Sequence, residues 1–532
     1  MLVLWRVVSM SKNNIGKIKQ NEHIYTLKIK TESKGLGILK TLLVLLLIVL
    51  QAAILILSYF YFLQLFHWYL IVSVVLTFAT CIYVLSSDYH GQAKATWVFF
   101  LLLSFGFGYI VYFLSDKHIL FAKSRKKYNK IYKQTENLQN QIDLSAVESN
   151  EVKTSCEYLY NAGKFVASKN SRTKYFSSGT KLFDSILEDI EKAKEFVFLE
   201  FFIIADGVLL DRFLEILKEK AKSGVDVRII YDDMGSHGTL KRKTKKAIKK
   251  AGIKLQPFNR LVPIFNIALN LRDHRKIVVI DGQIAYTGGA NLADEYINEK
   301  RTHGYWKDCG IKVEGPALDN LTISFLTQWQ FLTDEEINYN SFINKSKKII
   351  SDDVVVPFVS GPNYDFSIAQ NMYANSISNA KEKLYIMSPY FIPDETITNL
   401  LINKARSGVD VRIILPEIAD KKFVYVVSRN NAEKLLASGI KLYTMTSSFV
   451  HSKIVLTENS AIVGSINMDL RSFNQQFESA VFTNEKTVLN DITLDFINTI
   501  NHCKQITTQN ARRNKLFYRM LAGLFNLISP FM

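Results

Sequence analysis

Apolar and polar positions divide the chain into two regimes. Near the N-terminus three long apolar runs follow one another, Thr41–Leu63, Trp68–Ser87 and Thr96–Ser115. The first is 23 residues without a charge, long enough to cross a bilayer. It is too long for a cleaved signal and begins after residue 40, so these runs predict an integral membrane region over 41–116. Beyond residue 150 the pattern alternates between helical and strand periodicity. Helical spacing over Leu209–Lys222 and Ile397–Arg406 ends at Gly224 and Gly408, and each glycine is followed by a β-branched run that predicts a buried strand. That junction is duplicated outright. The octapeptide SGVDVRII occupies Ser223–Ile230 and again Ser407–Ile414. Apolar strands preceded by helices flank both copies, so the chain is predicted to carry two tandem α/β/α repeats, over 151–345 and 346–510.

Charge adds a partner to this picture. The 532 residues carry a net charge of +17, which calls for an anionic partner, either nucleic acid or an acidic lipid surface. The apolar runs decide for lipid. A basic leader over 1–40 has eight Lys/Arg against two Glu, and the linker over 117–150 has seven Lys/Arg between Lys117 and Lys133. The positive-inside rule places both flanks in the cytoplasm, whereas three full crossings would separate them. One run is then re-entrant or interfacial, and the parity of the spans stays open. KRKTKKAIKK at Lys241–Lys250 reads either as a solvated helix face or as an attraction to anionic lipid. The tail over 511–532 mixes Arg and Lys with Leu, Phe and Met at helical spacing, as an interfacial helix does. The four cysteines stand far apart without a CxxC pair, which excludes a disulfide framework and a cysteine zinc site.

Candidate chemistry is also duplicated. DHRKIVVIDGQIAYTGGAN carries His274, Lys276, Asp281, Gly288, Gly289 and Asn291; VHSKIVLTENSAIVGSIN carries His451, Lys453, Glu458, Gly464, Ser465 and Asn467. Residues i and i+2 of a strand share a face, so each His projects with its Lys. The small residues before each Asn let a ligand approach the backbone. His, Lys and Asn together suit a phosphate, and two copies facing each other would set two imidazoles about one phosphorus, one to attack and one to protonate the leaving oxygen. A lysine beside each histidine would repel a metal cation, and no HExxH is present. The motifs differ by one residue between His and Asn, 17 against 16 positions, and a strand cannot absorb that without flipping its faces. The missing residue must come out of the turn around Thr457–Ala461, which predicts that Glu458 is displaced from the place Asp281 occupies.

HxKxxxxD followed by GGxN or GSxN, twice, resembles the phospholipase D superfamily. SPYFIPD (Ser388–Asp394), SGP (Ser360–Pro362), WKDCGIKVEGPA (Trp306–Ala317) and NMDLRSFNQQFE (Asn467–Glu478) look like its bacterial cardiolipin synthases. The resemblance covers about Thr41 to the C-terminus. It implies tandem sandwich repeats sharing one active site, behind transmembrane helices in a multi-pass protein of the bacterial cell membrane. It also implies a reaction without cofactor, metal or nucleic acid, in which two phosphatidylglycerols, with other anionic phospholipids as neighbours, give cardiolipin and glycerol through a phosphatidyl-histidine. The family pattern makes His274, Lys276, Asp281, His451, Lys453 and Glu458 the catalytic motif residues, with His274 the nucleophile and His451 acid, then base. Asn291 and Asn467 join the lysines on the phosphate. Asp308 and Glu478 buttress the imidazoles, next to Gly289 and Ser465. Glu458 stands where Asp is usual, and Gln476 replaces a common Asn. Another phosphatidyltransferase, a phospholipase D hydrolase, a nuclease of the superfamily and a non-catalytic lipid-binding paralogue are the rival readings.

Overall fold

The computed structural model describes residues 46–528, apart from 261–270 and positions 58, 61, 62, 88, 90, 105, 116, 140, 146, 513 and 514. The basic leader, residues 41–45 of the first apolar run and the last four residues of the tail lie outside the described residues.

Valine- and isoleucine-rich segments bounded by glycine build two mixed sheets of the same order. The first runs Arg172–Phe176, Gly310–Glu314, Ile284–Gly288, Lys276–Ile280, Phe196–Phe201, Asp226–Asp232 and Lys254–Phe258. The second runs Val355–Ser360, Gln476–Thr483, Ala461–Gly464, Ile454–Leu456, Lys383–Met387, Asp410–Pro416 and Lys441–Met445, with Cys503–Ile506 added at its edge. The twin octapeptides take the same place in each sheet. Asp226–Asp232 pairs in parallel with Phe196–Phe201, and Asp410–Pro416 with Lys383–Met387. Their identity has local causes. Gly224 (φ +89°) and Gly408 (φ +93°) close the preceding helices in the left-handed conformation, where a Cβ is strained. Two residues on, Asp226 pairs with Arg228 and Asp410 with Arg412, each at 2.7 Å on one strand face.

Each sheet buries its outer face under amphipathic helices, among them Gly179–Glu191 and Val208–Lys222 on the first, and Ile368–Asn379 and Glu395–Arg406 on the second. The inner faces share one core with the helices Asp319–Thr333 and Lys486–Ile500, where Phe198, Phe325 and Trp329 meet Tyr385, Ile492 and Phe496. The helix Asn150–Gly163 precedes the first sheet in sequence and falls within the span predicted for the first repeat, yet it packs on the second. Val152, Cys156 and Leu159 enter that repeat's core, and Asn375 Nδ2 donates to Ser155 Oγ at 3.1 Å. The span expected as a basic linker holds a docked helix, Lys117–Thr135. On it Tyr128 stacks on Phe331 at 3.9 Å and donates to Gln328 Oε1 at 2.7 Å.

The membrane region departs from expectation. Among the described residues one helix, Phe66–Ser86 within Leu63–Ser86, is long and apolar enough to cross a membrane, by length and composition only. The expected third run is not one helix: Gly91–Leu103 and Gly108–Ser115 are separate, and between them Gly106 takes φ +83°. A left-handed residue cannot continue a right-handed helix. The two short helices fold against the long one around Cys81, Val84, Trp97, Leu101 and Tyr112.

Candidate active site

His274 and His451 both line one cavity of about 380 Å³ between the repeats. Each enters from the start of its motif strand and is tied there by the opposite repeat. Arg272–Asp273 adds in parallel to Gln476–Phe477, and the His274 N–H donates to the Phe477 carbonyl at 2.9 Å. In the same way Ser448–Val450 adds to Tyr305–Lys307, and the His451 N–H donates to the Lys307 carbonyl at 2.7 Å. Those borrowed segments end in the two acids. His274 Nδ1 meets both Glu478 carboxylate oxygens at 3.0 Å, and His451 Nδ1 meets Asp308 Oδ2 at 2.7 Å. Each imidazole is thus held by the carboxylate of the other repeat. The resemblance implied that Asp308 and Glu478 buttress the imidazoles but not which acid holds which; the exchange is invisible in the sequence, because strand pairing between distant segments leaves no local pattern. A carboxylate oxygen that accepts from Nδ1–H fixes the tautomer with a lone pair on Nε2.

Lys276 and Lys453 lie beneath the histidines, 2% and 0% exposed, and each Nζ donates to the carbonyl of its own motif histidine. Burial pushes Lys276 down to about 7 and Lys453 down to about 8. Burial, reinforced by the neighbouring ammonium groups, lowers His274 well below the usual histidine range, and burial followed by Lys453 takes His451 down to about 4. Burial also raises Glu478 to about 8, against the pull of Lys276 and a hydrogen bond from Ser465. Burial drives these lysines, histidines and Glu478 toward their neutral forms; the neighbouring positive charge adds to this for the histidines and opposes it for Glu478. A bound phosphodiester would reverse this for the lysines.

Asn291 and Asn467 line the same cavity. Asn291 Oδ1 accepts from the Ile203 amide at 3.1 Å and Nδ2 donates to the Tyr296 hydroxyl at 2.6 Å, whereas Asn467 Oδ1 is buried without a protein partner among the described residues. Aromatic rings differ between the two halves. Phe202 stands against His274 at 5.0 Å; Tyr296, Trp306 and Phe449 surround His451 at 5.3–5.8 Å. Arg471, Lys421 and Tyr390 also line the cavity and were not singled out from the sequence. Arg471 and Tyr390 lie in NMDLRSF and SPYFIPD, stretches that had been noted only for their resemblance.

Asp281 and Glu458 are not brought to the histidines. Asp281 accepts from the backbone amides of Lys194, Glu195 and Phe196 at 2.7–2.8 Å, at the far end of its strand. Glu458 accepts from Lys381, Glu382 and Lys383 at 2.9–3.3 Å, and these follow Ala380 just as the other three follow Ala193. Placing both among the catalytic groups is therefore corrected: they pin a strand start. The predicted displacement of Glu458 is corrected as well. The shortening does fall in the turn, but after the acid. Ile280 pairs with Ile284 across three residues, whereas the Thr457 N–H donates to the Ser460 carbonyl across two.

At the Gly289 position the repeats differ in a way that matches their acids. A Cβ on Gly289 would stand 2.2 Å from Asp308 Oδ1. The equivalent Ser465 hydroxyl instead donates to the longer Glu478. Gly289→Ala is expected to push Asp308 off His451 and to slow turnover about ten- to a hundredfold, the usual range for a group that orients a functional histidine. The double variant Gly289→Ser/Asp308→Glu, which copies the second repeat, should recover part of that loss in a turnover assay at equal protein. No recovery would sink this account of the position.

Tandem sheets sharing one cleft with paired HxK motifs define the phospholipase D class of fold. Comparison with known proteins narrows it. Residues 186–304 and 373–500 match the family described as cardiolipin synthase, phospholipase-D-like domain. A cardiolipin synthase of Halalkalibacterium halodurans is 36% identical over 68% of this chain and 72% of its own, and cardiolipin synthase 2 of Staphylococcus epidermidis is 35% identical over 70% and 76%. The solved structure of phosphatidylserine synthase from Haemophilus influenzae superposes with a TM-score of 0.56 at 15% identity, covering 72% of this chain and all of that one, a likeness of fold. The chain belongs to the cardiolipin synthase family of phospholipase-D-type enzymes.

Proposed function

We propose that the protein is a cardiolipin synthase joining two phosphatidylglycerols, with His274 as nucleophile. The observation that carries this reading is the pair of histidines in one cavity, each with a buried lysine and each oriented by an acid from the opposite repeat. His274 Nε2 attacks the phosphorus of the first lipid, the phosphorus–oxygen bond to its glycerol headgroup breaks, and His451, which takes a proton from solvent on Nε2 when the phosphodiester anion binds, gives that proton to the leaving oxygen. A hydroxyl of the second lipid's glycerol then loses its proton to His451 and attacks the same phosphorus. The phosphorus–nitrogen bond breaks and its electron pair returns to His274. Lys276, Lys453, Asn291 and Asn467 bear the charge that builds on the phosphate oxygens. Burial favours this chemistry, because a histidine held neutral at ordinary pH is free to attack.

Membrane embedding in several passes belongs to the same proposal. The helix Phe66–Ser86 leaves large apolar side chains such as Trp68, Phe78 and Ile82 exposed, which suits hydrocarbon. The tail helix Leu516–Ile528 supports an interfacial position beside the cavity. One side packs on Lys422–Lys434, with Tyr518 donating to the Val426 carbonyl at 3.2 Å and Phe525 against Phe423 at 4.9 Å. The other leaves Leu516, Phe517, Met520 and Leu524 exposed. The repeats, at 151–345 and 346–510 in this proposal, would then work on lipid headgroups at a bilayer surface.

Purified protein given phosphatidylglycerol alone, with EDTA present and no CDP-diacylglycerol, is expected to release cardiolipin and glycerol. The two ammonium groups packed against the histidines disfavour a metal cation between them, which motivates the chelator arm. Phosphatidic acid as the main product would make the enzyme a hydrolase. Activity lost in EDTA and restored by one divalent ion would end the histidine mechanism.

A further inference from the structure

Besides Lys300, which pairs with Glu295 at 3.1 Å, two more cations line the cavity. Arg471 lines it from the second repeat, half-buried, and its Nε is buried without a hydrogen-bond partner. Lys421 stands exposed at the same wall, with its ammonium 5.7 Å from the Tyr390 ring. Neither makes an ion pair among the described residues. The nearest carboxylates are engaged elsewhere. Asp469 accepts from the Ser472 amide at 2.7 Å, and Asp420 accepts from the Tyr390 hydroxyl and from the Lys421 amide at 2.7 Å. Arg471 lies close enough to His274 for its charge to help lower that imidazole.

The two repeats disagree at this place. Counting four residues past the motif asparagine gives Glu295 in the first repeat and Arg471 in the second, and both line the cavity. On the first wall Glu295 is met by Lys300 at 3.1 Å, whereas on the second Arg471 and Lys421 make no such pair among the described residues, although Asp420 and Asp469 also line the cavity. A cleft binding one phosphate symmetrically has no use for that difference. Joining two phosphodiesters through one glycerol puts two anions into the cavity at once, and the lysines of the motifs can neutralise only the one being attacked. An Arg with an unsatisfied donor beside a Lys suits a phosphodiester by charge and by fork geometry.

We infer that Arg471 and Lys421 form a second phosphodiester subsite, which holds the phosphate of the acceptor lipid while its glycerol hydroxyl attacks at His274. The inference rests on the phosphatidyl-transfer reading above. It makes these two residues determinants of acceptor choice: an acceptor bearing a phosphate is held, and an uncharged alcohol is not.

The test offers the full-length enzyme three acceptors with one phosphatidylglycerol donor: a second phosphatidylglycerol, soluble glycerol phosphate, and labelled glycerol, which is uncharged and exchanges into the donor. In Arg471→Gln and in Lys421→Gln the preference for phosphatidylglycerol over glycerol is expected to fall at least tenfold, through KM for the acceptor, and Arg471→Lys should keep most of it. Glycerol phosphate should lose ground alongside phosphatidylglycerol if the headgroup phosphate is what is recognised; loss confined to the lipid acceptor would make the cations a membrane contact and overturn the subsite. An unchanged preference, with all acceptors slowed together, would overturn it too, by assigning Arg471 to the reacting phosphate. Should Arg471→Gln fail to fold, Lys421→Gln at the exposed wall carries the measurement. A wild-type enzyme that neither exchanges glycerol nor makes cardiolipin would instead strike at the phosphatidyl-transfer reading itself.

Discussion

His274→Asn protein is expected to make no cardiolipin and to take up no label from phosphatidylglycerol labelled in its phosphatidyl part, whereas His451→Asn should make little cardiolipin and still carry label. The difference follows from the proposed roles. Only the nucleophile forms the phosphorus–nitrogen bond, and Asn at position 274 has no basic nitrogen to offer. Without His451 the first leaving oxygen has no positioned acid and the acceptor hydroxyl no base, a loss of about a hundred- to ten-thousand-fold in each step. The intermediate then forms slowly and drains slowly, so it accumulates. Acid quenching and gel detection of labelled protein reads this directly. Label on His274→Asn, and none on His451→Asn, would reverse the two roles. The structure makes that reversal a fair contest, since both imidazoles are equally buried and both are oriented by an acid across the repeat boundary.

Lys453→Ala should all but abolish cardiolipin formation while Glu458→Ala leaves the folded enzyme working. Lys453 is fully buried beneath His451, and removing one preorganised cation from an anionic transition state costs about a hundred- to a thousandfold. Glu458 reaches only the amides of Lys381, Glu382 and Lys383. Losing those bonds should lower stability by about 1–3 kcal/mol, the cost of leaving such groups unpaired. The expected signature is a lower thermal midpoint with near-normal turnover per folded molecule. Asp281→Ala should behave in the same way, because Asp281 pins the corresponding amides of the first repeat. A folded but inactive Glu458→Ala enzyme would return that residue to the chemistry.

Much of this molecule was legible in its sequence because duplication doubles every weak local signal. One HxK proves little; two of them, each following a copy of SGVDVRII at a similar distance, placed both histidines and both lysines. Misreadings arose where the deciding contact lies far off in sequence. Nothing near Glu478 says that it will hold His274, since the pairing of Arg272–Asp273 with Gln476–Phe477 is made only in three dimensions. The amphipathic helix Asn150–Gly163 shows one apolar face but not which sheet will cover it. Glu458 was misplaced for another reason: the spacing was counted back from Asn467, when counting forward from each histidine gives seven steps to Asp281 and seven to Glu458. Gly106, which breaks the third apolar run, was in plain view, but apolar runs tolerate glycine and its left-handed backbone could not be read from residue types.

The exchange of acids between repeats also bears on how the enzyme is made. His274 leaves the ribosome 204 residues before the glutamate that orients it, and Asp308 is synthesised 143 residues before the histidine it serves. A nascent chain holding the complete first repeat thus has a histidine without its acid and an acid without its histidine. Until residue 478 has emerged and its strand has docked, the proposed nucleophile lacks the carboxylate that orients it. A delay in assembling the site during synthesis is thus built into the topology itself.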